Sequence, residues 1–228
     1  MVIAPCRRLL YCSMDELYKT GFALSGGFIK GFAHLGVMQA LFEEGIRPEI
    51  ISGVSAGALA GVFVDDGMEP RQILELFDEK DFGYFTKFSM RSRAWMMLLD
   101  QFEDFMNENL SVKRLEQLRI PFMVTATILD KGMPVTFREG EIAPRVAASC
   151  CVPGLFTPID IDGDRFVDGG VLMNLPVSTI RNMCEKIVAV NVSTIIEREA
   201  GSNVFSVLYR TYDLMSHSNA GHDRRMAD

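Results

Sequence analysis

A serine sits in the pentapeptide Gly53-Val54-Ser55-Ala56-Gly57, between a short apolar run at 49–52 and a second one that opens at Ala58. This is G-x-S-x-G in the strand–turn–helix setting that the motif demands. A serine on so sharp a turn is held in a strained conformation that pushes its Oγ outward. The flanking residues must be small, because longer side chains collide with the turn. The helix N-terminus behind Ser55 sets a positive dipole end beside the oxyanion that forms when a carbonyl is attacked. The chemistry this suggests is acyl transfer with Ser55 as nucleophile. A plain glycine-rich turn has the same composition, so the pentapeptide alone does not decide between them.

Two more glycine-rich segments lie at strand ends. Ser25-Gly26-Gly27-Phe28-Ile29-Lys30-Gly31 follows the apolar run 21–24. Adjacent glycines ahead of a helix let backbone N–H groups converge on one concavity, which suits an oxyanion. The rival is a phosphate loop. The dinucleotide fingerprint fails because Phe28 stands at its middle glycine, and the P-loop fails because Gly31 follows Lys30 where Ser or Thr is required. Asp168-Gly169-Gly170 follows the run 165–167. An aspartate there, backed by two glycines, can approach another loop closely and take a proton from Ser55 Oγ; an Asp-Gly β-turn is the plainer alternative. Asp160, Asp162 and Asp164 read as solvated turn residues, since their spacing and the missing terminal glutamate reject an EF-hand.

The usual serine hydrolase sets a histidine between serine and aspartate. Only His34, His217 and His222 occur. His34 falls in the helix after the glycine loop, where a packed or surface histidine is the default. His217 and His222 follow Asp168 in the Ser…Asp…His order of α/β-hydrolases, yet they lie in a polar helical stretch at 216–225. A histidine-assisted esterase and a direct Ser–Asp pair both stay open on these residues.

The scaffold is legible in the hydrophobic period. Strands are predicted at 21–24, 49–52, 121–129, 134–137, 156–161, 165–167 and 187–192, with Asp130-Lys131-Gly132 as a hairpin turn. The last run is rich in β-branched residues, the pattern of a strand buried on both faces. Helices are predicted at 32–44, closed by Gly45, from 58 to 64, at 69–77, 95–110, 112–118, 142–151 and 204–226, with an irregular aromatic stretch at 81–93. Strands alternating with helices imply an α/β fold with a mostly parallel central sheet and helices on both faces. In such sheets active groups gather where strands end and helices begin.

No repeat or linker interrupts the chain, so residues 14–228 are read as one domain. Residues 1–13 are read as a disordered or non-native extension, because the run 9–11 is far too short for a signal sequence. The formal net charge of -7 offers no surplus to neutralise phosphates and argues against a nucleic-acid partner. The five cysteines include no C-x-x-C, and their spacing fits neither a zinc site nor a disulfide framework. No stretch approaches the ~20 apolar residues of a membrane span. The expectation is a soluble cytoplasmic protein with at most transient, peripheral contact with a membrane surface.

Four segments together resemble the patatin-like phospholipases: the glycine loop 26–31, Gly53 to Gly57, Ala147-Ala148-Ser149-Cys150-Cys151-Val152-Pro153-Gly154-Leu155-Phe156, and Asp168-Gly169-Gly170. Their order and separations match over roughly residues 19–192. The resemblance implies a three-layer sandwich and a lipid acyl hydrolase of phospholipase A or lysophospholipase type. It implies a Ser–Asp dyad in which Ser55 attacks the ester and Asp168 is the base, first for attack and then for the water that hydrolyses the acyl-enzyme. The amides of Gly27 and Phe28, with Gly26 and Ile29, would form the oxyanion hole. The implied substrate is a phospholipid or other acyl-ester lipid, and no metal or organic cofactor is implied. Two departures stand out. Phe28 replaces a third glycine of the family, which brings the efficiency of the hole into question or sets a ring in the acyl groove. The chain stops at Asp228 where similar proteins continue into a further strand, which predicts a missing C-terminal segment and an open sheet edge. These departures motivate the third reading, a catalytically dead lipid-binding protein. The stretch 82–105, with Phe82, Trp95, Phe102 and Phe105 among its apolar residues, is predicted to cap the acyl groove, against the plainer expectation that each packs in the core.

Overall fold

The computed structural model describes residues 17–78, 87–88, 97–98, 100–197, 199 and 201–228. In chain order the elements are β1 (Tyr18–Leu24), α1 (Phe32–Glu43), β2 (Ile50–Val54), α2 (Ala56–Asp66), α3 (Pro70–Asp78), β3 (Lys87–Phe88), β4 (Met97–Leu98), α4 (Asp100–Asn109), β5 (Phe122–Ile128), β6 (Met133–Phe137), α5 (Ile142–Ser149), β7 (Ile159–Ile161), β8 (Asp164–Asp168), β9 (Cys184–Val190) and α6 (Val204–Asp223).

Seven strands make one mixed sheet. Its centre is parallel, in the order β9-β1-β2-β5. Both β2 and β5 are buried along their whole length, and neither carries a charged residue. Alternate residues still serve opposite faces. Phe22, Leu24, Ile51, Phe122 and Val124 join the larger core under the helices, with Phe63 and Phe105. Ala23, Ile50 and Met123 face the smaller core, with Leu175, Val177, Ile180 and Ala220. That second face is covered by single 3-10 turns at Val177–Thr179 and Arg181–Met183 and by the end of α6.

The register on β5 positions everything that follows. One edge of β5 carries β6 in antiparallel pairing. The other edge is shared end to end. Its first half pairs with β2 as far as Val54↔Thr125, in parallel. Its second half pairs with β8, antiparallel, from Ala126↔Asp168 to Ile128↔Phe166. The C-terminal ends of β2 and β8 therefore meet head-on at the Thr125–Ala126 step.

Three elements differ from the sequence reading. Residues 112–118 are not a helix: only Leu115–Gln117 makes a 3-10 turn, because Leu115 N–H bonds Gly140 C=O and Ile142 N–H bonds Lys113 C=O, ladder bonds that replace helical ones. The helix predicted at 95–110 begins at Asp100, after the strand Met97–Leu98. The run 187–192 starts earlier and lies at the sheet's border: β9 spans Cys184–Val190, with Glu185 and Lys186 exposed near its start, and among the described residues its one strand partner is β1. Its faces are covered as expected, since Val188 and Val190 pack with the larger core and Ile187 and Ala189 with the smaller. Its outer edge is met at Ile187 by Asp228, whose N–H bonds Ile187 C=O at 3.2 Å and whose carboxylate accepts Ile187 N–H at 2.9 Å. Of the residues expected to cap a groove, Phe102 and Phe105 are core residues; Phe82 and Trp95 lie outside the described residues. Among the described residues no helix is long and apolar enough to cross a membrane.

Candidate active site

Ser55 leaves the end of β2 and opens α2 with φ 51° and ψ -123°, a left-handed conformation that a non-glycine residue adopts at a cost of about 1–3 kcal/mol. The turn persists because its surroundings over-determine it. Gly53 lies against the main chain of Ala58, and Gly57 against the carbonyl of Leu24. Ser55 C=O accepts the N–H of Leu59 at 3.0 Å, the first bond of the helix. Ser55 N–H donates to Ser149 Oγ at 2.8 Å, and that hydroxyl donates to Thr125 C=O at 2.6 Å. Ser149 thus ties the turn to β5. Replacing Ser149 with Ala leaves a buried N–H and a buried C=O without partners. We expect a loss of about 2–4 kcal/mol by thermal denaturation. Below the melting range, we expect slower reaction of Ser55 with a fluorophosphonate, because the turn loses its anchor.

Asp168 is the last residue of β8 and is fully buried. Its N–H donates to Cys151 C=O at 2.8 Å, and its Oδ1 accepts Gly170 N–H at 2.8 Å. Burial raises its pKa from 3.8 to about 6; the hydroxyls of Ser55 and Tyr212 and the Gly170 N–H act the other way, favouring the carboxylate. Among the described residues Oδ2 receives no hydrogen bond. The Ser55 hydroxyl is therefore a close neighbour of the carboxylate that stops short of a formed bond, as resting catalytic pairs often are. Gly169 abuts the carbonyl of Thr125, and Gly170 lies beneath the Tyr212 hydroxyl. The thiol of Cys150 also borders Ser55, and burial pushes it far up, so it stays protonated.

The glycine loop runs from β1 into a 3-10 turn, Phe28–Gly31. Gly26 was expected among the oxyanion donors; its N–H donates instead to Asn174 C=O at 3.0 Å, so it shapes the loop without offering an amide. Gly27, Phe28 and Ile29 head the turn. Phe28 takes the conformation that a glycine adopts freely, φ 52°, and its ring packs on Tyr209 at 5.5 Å. A cavity of about 360 Å³ opens beside this loop; Gly27, Phe28, Ile196 and Tyr209 line it, together with Lys30 and Asp213. Ser55 and Asp168 are not in its wall.

The histidines have other work. His34 is buried behind the loop with Nε2 on Ser25 C=O at 2.8 Å, and burial lowers its pKa to about 4, so it is neutral. His217 bonds Ser193 C=O through Nδ1 at 2.6 Å. The side chain of His222 lies outside the described residues. Among the described residues no cluster of His, Cys, Asp or Glu could hold a metal ion.

The pattern of the patatin-like phospholipases matches residues 22–180. The chain belongs to the patatin-like phospholipase family. Relatives include an uncharacterised NTE family protein of Mycobacterium tuberculosis, 32% identical over 174 residues that cover 71% of this chain and 45% of the relative. Lysophospholipase NTE1 of Saccharomyces cerevisiae is 28% identical over 219 residues, 87% of this chain and 13% of that protein. The chain thus spans less than half the length of these curated relatives. Among solved structures, VipD from Legionella pneumophila shares the fold, with a TM-score of 0.56 at 18% identity over 71% of this chain and 47% of that one.

In this patatin-like chain Gly26 of the glycine loop lies against Ser55, and the Ser55 hydroxyl acts on the Asp168 carboxylate. Sequence reasoning missed three neighbours. Ser149 lies within a segment that carried the resemblance, but a serine in a helix gives no sign that it bridges two strands' ends. Asn174 is buried, and among the described residues neither atom of its amide has a partner. Tyr212 reads as one more aromatic at helical spacing.

Proposed function

We propose that this protein hydrolyses carboxylic esters of lipids, as a phospholipase A or lysophospholipase does, through a Ser55–Asp168 dyad. The observation that carries the reading is the head-on meeting of β2 and β8, with a strained serine at one end and a buried carboxylate at the other. Asp168 takes the Ser55 proton as Oγ attacks the ester carbonyl. The amides at the head of the 3-10 turn, Gly27, Phe28 and Ile29, face the developing oxyanion, where one donor is worth roughly 3 kcal/mol. The proton passes to the departing alcohol, leaving an acyl-serine. Asp168 then takes a proton from the water that attacks the acyl-serine and returns it to Ser55 Oγ as the fatty acid leaves. Family membership supports the substrate class, and the exposed Ile29 and Ile196 at the cavity suit an acyl chain or a membrane surface.

A fluorophosphonate probe with lysophosphatidylcholine as substrate tests this. Labelling at Ser55, its loss in Ser55→Ala, and release of fatty acid are expected. Folded protein that neither labels nor hydrolyses is the dead lipid-binding protein instead. A His217→Gln, His222→Gln double variant is expected to keep its rate, and loss of activity in that folded variant returns the proton transfer to histidine. The kcat/KM of the wild type is expected to rise through about pH 6, because a base must be deprotonated to act and burial holds Asp168 protonated below that pH.

A further inference from the structure

Helix α6 lies beyond residues 22–180, which match the family pattern, yet it packs directly on the base turn. Asn219 Nδ2 donates to Val171 C=O at 2.5 Å and reaches Gly170 C=O at 3.4 Å, fastening the helix to the turn that carries Asp168. Two turns earlier on the helix, Tyr212 points its hydroxyl at the same spot. A Cβ placed on Gly170 would meet Tyr212 Oη at 2.6 Å, Asn174 Oδ1 at 2.8 Å and Asp168 Oδ1 at 3.1 Å. Three oxygens from three segments thus crowd the face of one glycine. The ring of Tyr212 packs against the main core, so its hydroxyl has little freedom to turn elsewhere. A phenol set in the core requires a polar partner; the Asp168 carboxylate, the Ser216 hydroxyl and the Asn174 amide oxygen are beside this one, and the Asn174 oxygen receives no hydrogen bond among the described residues.

We infer that Tyr212 is the positioning residue for the proposed base: its O–H donates to the Asp168 carboxylate and aims it at Ser55. The inference rests on the dyad reading above. The phenol cannot give up its own proton there, since burial and the neighbouring carboxylate push it well above 10. It acts as a fixed donor. The other titratable groups facing Asp168 are the thiols of Cys150 and Cys151 beyond the end of α5. Burial raises both, Cys151 to about 12, so both stay neutral and neither competes as a counter-charge. Among the described residues β2, β5 and α2 present no charged side chain to it. Gly170 N–H and the Tyr212 hydroxyl, with Ser55 itself, are what favour the ionised form against burial.

Tyr212→Phe keeps the ring and removes the donor. The readout is the pH profile of kcat/KM on a soluble p-nitrophenyl ester, alongside the rate of fluorophosphonate labelling at Ser55. A hydrogen bond to a charged group is worth enough to move the acid limb from near pH 6 to near pH 7. At pH 6 the variant is then about fivefold slower than wild type, while the two converge toward pH 9. A merely structural role lowers the plateau or the melting temperature and leaves the limb in place; that outcome overturns the inference and leaves the dyad standing. A wild type with no acid limb near pH 6, or an Asp168→Asn enzyme as active as wild type, overturns both.

Discussion

Asp168→Asn is expected to abolish ester hydrolysis and to make the protein more stable at alkaline pH. Loss of a base that acts in both acylation and deacylation is on the order of 10³-fold or more in kcat. The stability effect follows from the same burial. The folded-state pKa is raised, to about 6 from 3.8. Between those two values the folded state holds a proton that the unfolded state releases, so folding loses stability as pH rises through that window. Above about pH 6 the full cost is present, about 3 kcal/mol for a fully buried carboxylate. Below about pH 4 both states are protonated and the cost vanishes. A neutral amide of the same shape removes it. The variant should melt higher than wild type at pH 8 and alike at pH 4, with urea denaturation at the two pH values as the measurement. Equal stability at both would mean that the carboxylate is solvated or paired in a way the buried site does not provide, and would weaken its assignment as a tuned base.

That trade explains why the carboxylate sits where it does. Asp168 is the residue at which β8 leaves the edge of β5, and β2 leaves the same edge from the opposite direction at Val54. Neither strand could end one residue later without the two chains colliding. The site is thus a product of register, and register is what a motif cannot express. The sequence announced Ser55 and Asp168 because turn chemistry at strand ends is local: glycine, serine and aspartate mark sharp turns wherever they fall. It did not announce that β8 would run antiparallel to β5, because a three-residue run such as Arg165-Phe166-Val167 carries no direction. The edge position of β9 was hidden for a related reason. Its charged residues, Glu185 and Lys186, sit side by side near its start, and the rest resembles a central strand.

The neighbours of Ser55 and Asp168 were illegible for a different cause. Ser149 acts through two main-chain groups, 94 and 24 positions away in the chain, and Tyr212 through a carboxylate on another layer. Each has an ordinary role at its own position, core aromatic or helix-end serine, and becomes functional only through packing. Gly26 is the converse. Its motif suggested an oxyanion donor, but a main-chain carbonyl from the segment after the base turn takes its N–H first. Motifs name which residues are special; tertiary contacts decide which of their atoms are available.

The glycines of the pentapeptide separate these two levels by experiment. Gly57 is expected to tolerate no side chain at all. A Cβ there would stand 2.4 Å from Leu24 O, 2.6 Å from Leu24 C and 2.6 Å from Ser25 O, all main-chain atoms of the buried end of β1. No rotamer relieves such a clash; either β1 or the start of α2 must shift, and both are fixed by the sheet. We expect Gly57→Ala to cost about 3 kcal/mol or more and to yield little folded protein. Where folded protein is recovered, fluorophosphonate labelling of Ser55 should be lost, because the turn can relax only by abandoning the strained conformation of Ser55. Gly36 is the matched control. It lies exposed in the middle of α1, with nothing within 4 Å of a Cβ and no positive φ. There Gly36→Ala should stabilise by about 0.5–1 kcal/mol, from helix propensity and a less flexible unfolded chain. The same substitution thus has opposite signs at two helical glycines. A Gly57→Ala protein as stable as Gly36→Ala would show that β1 and the nucleophile turn do not touch, and the site described here would lose its foundation.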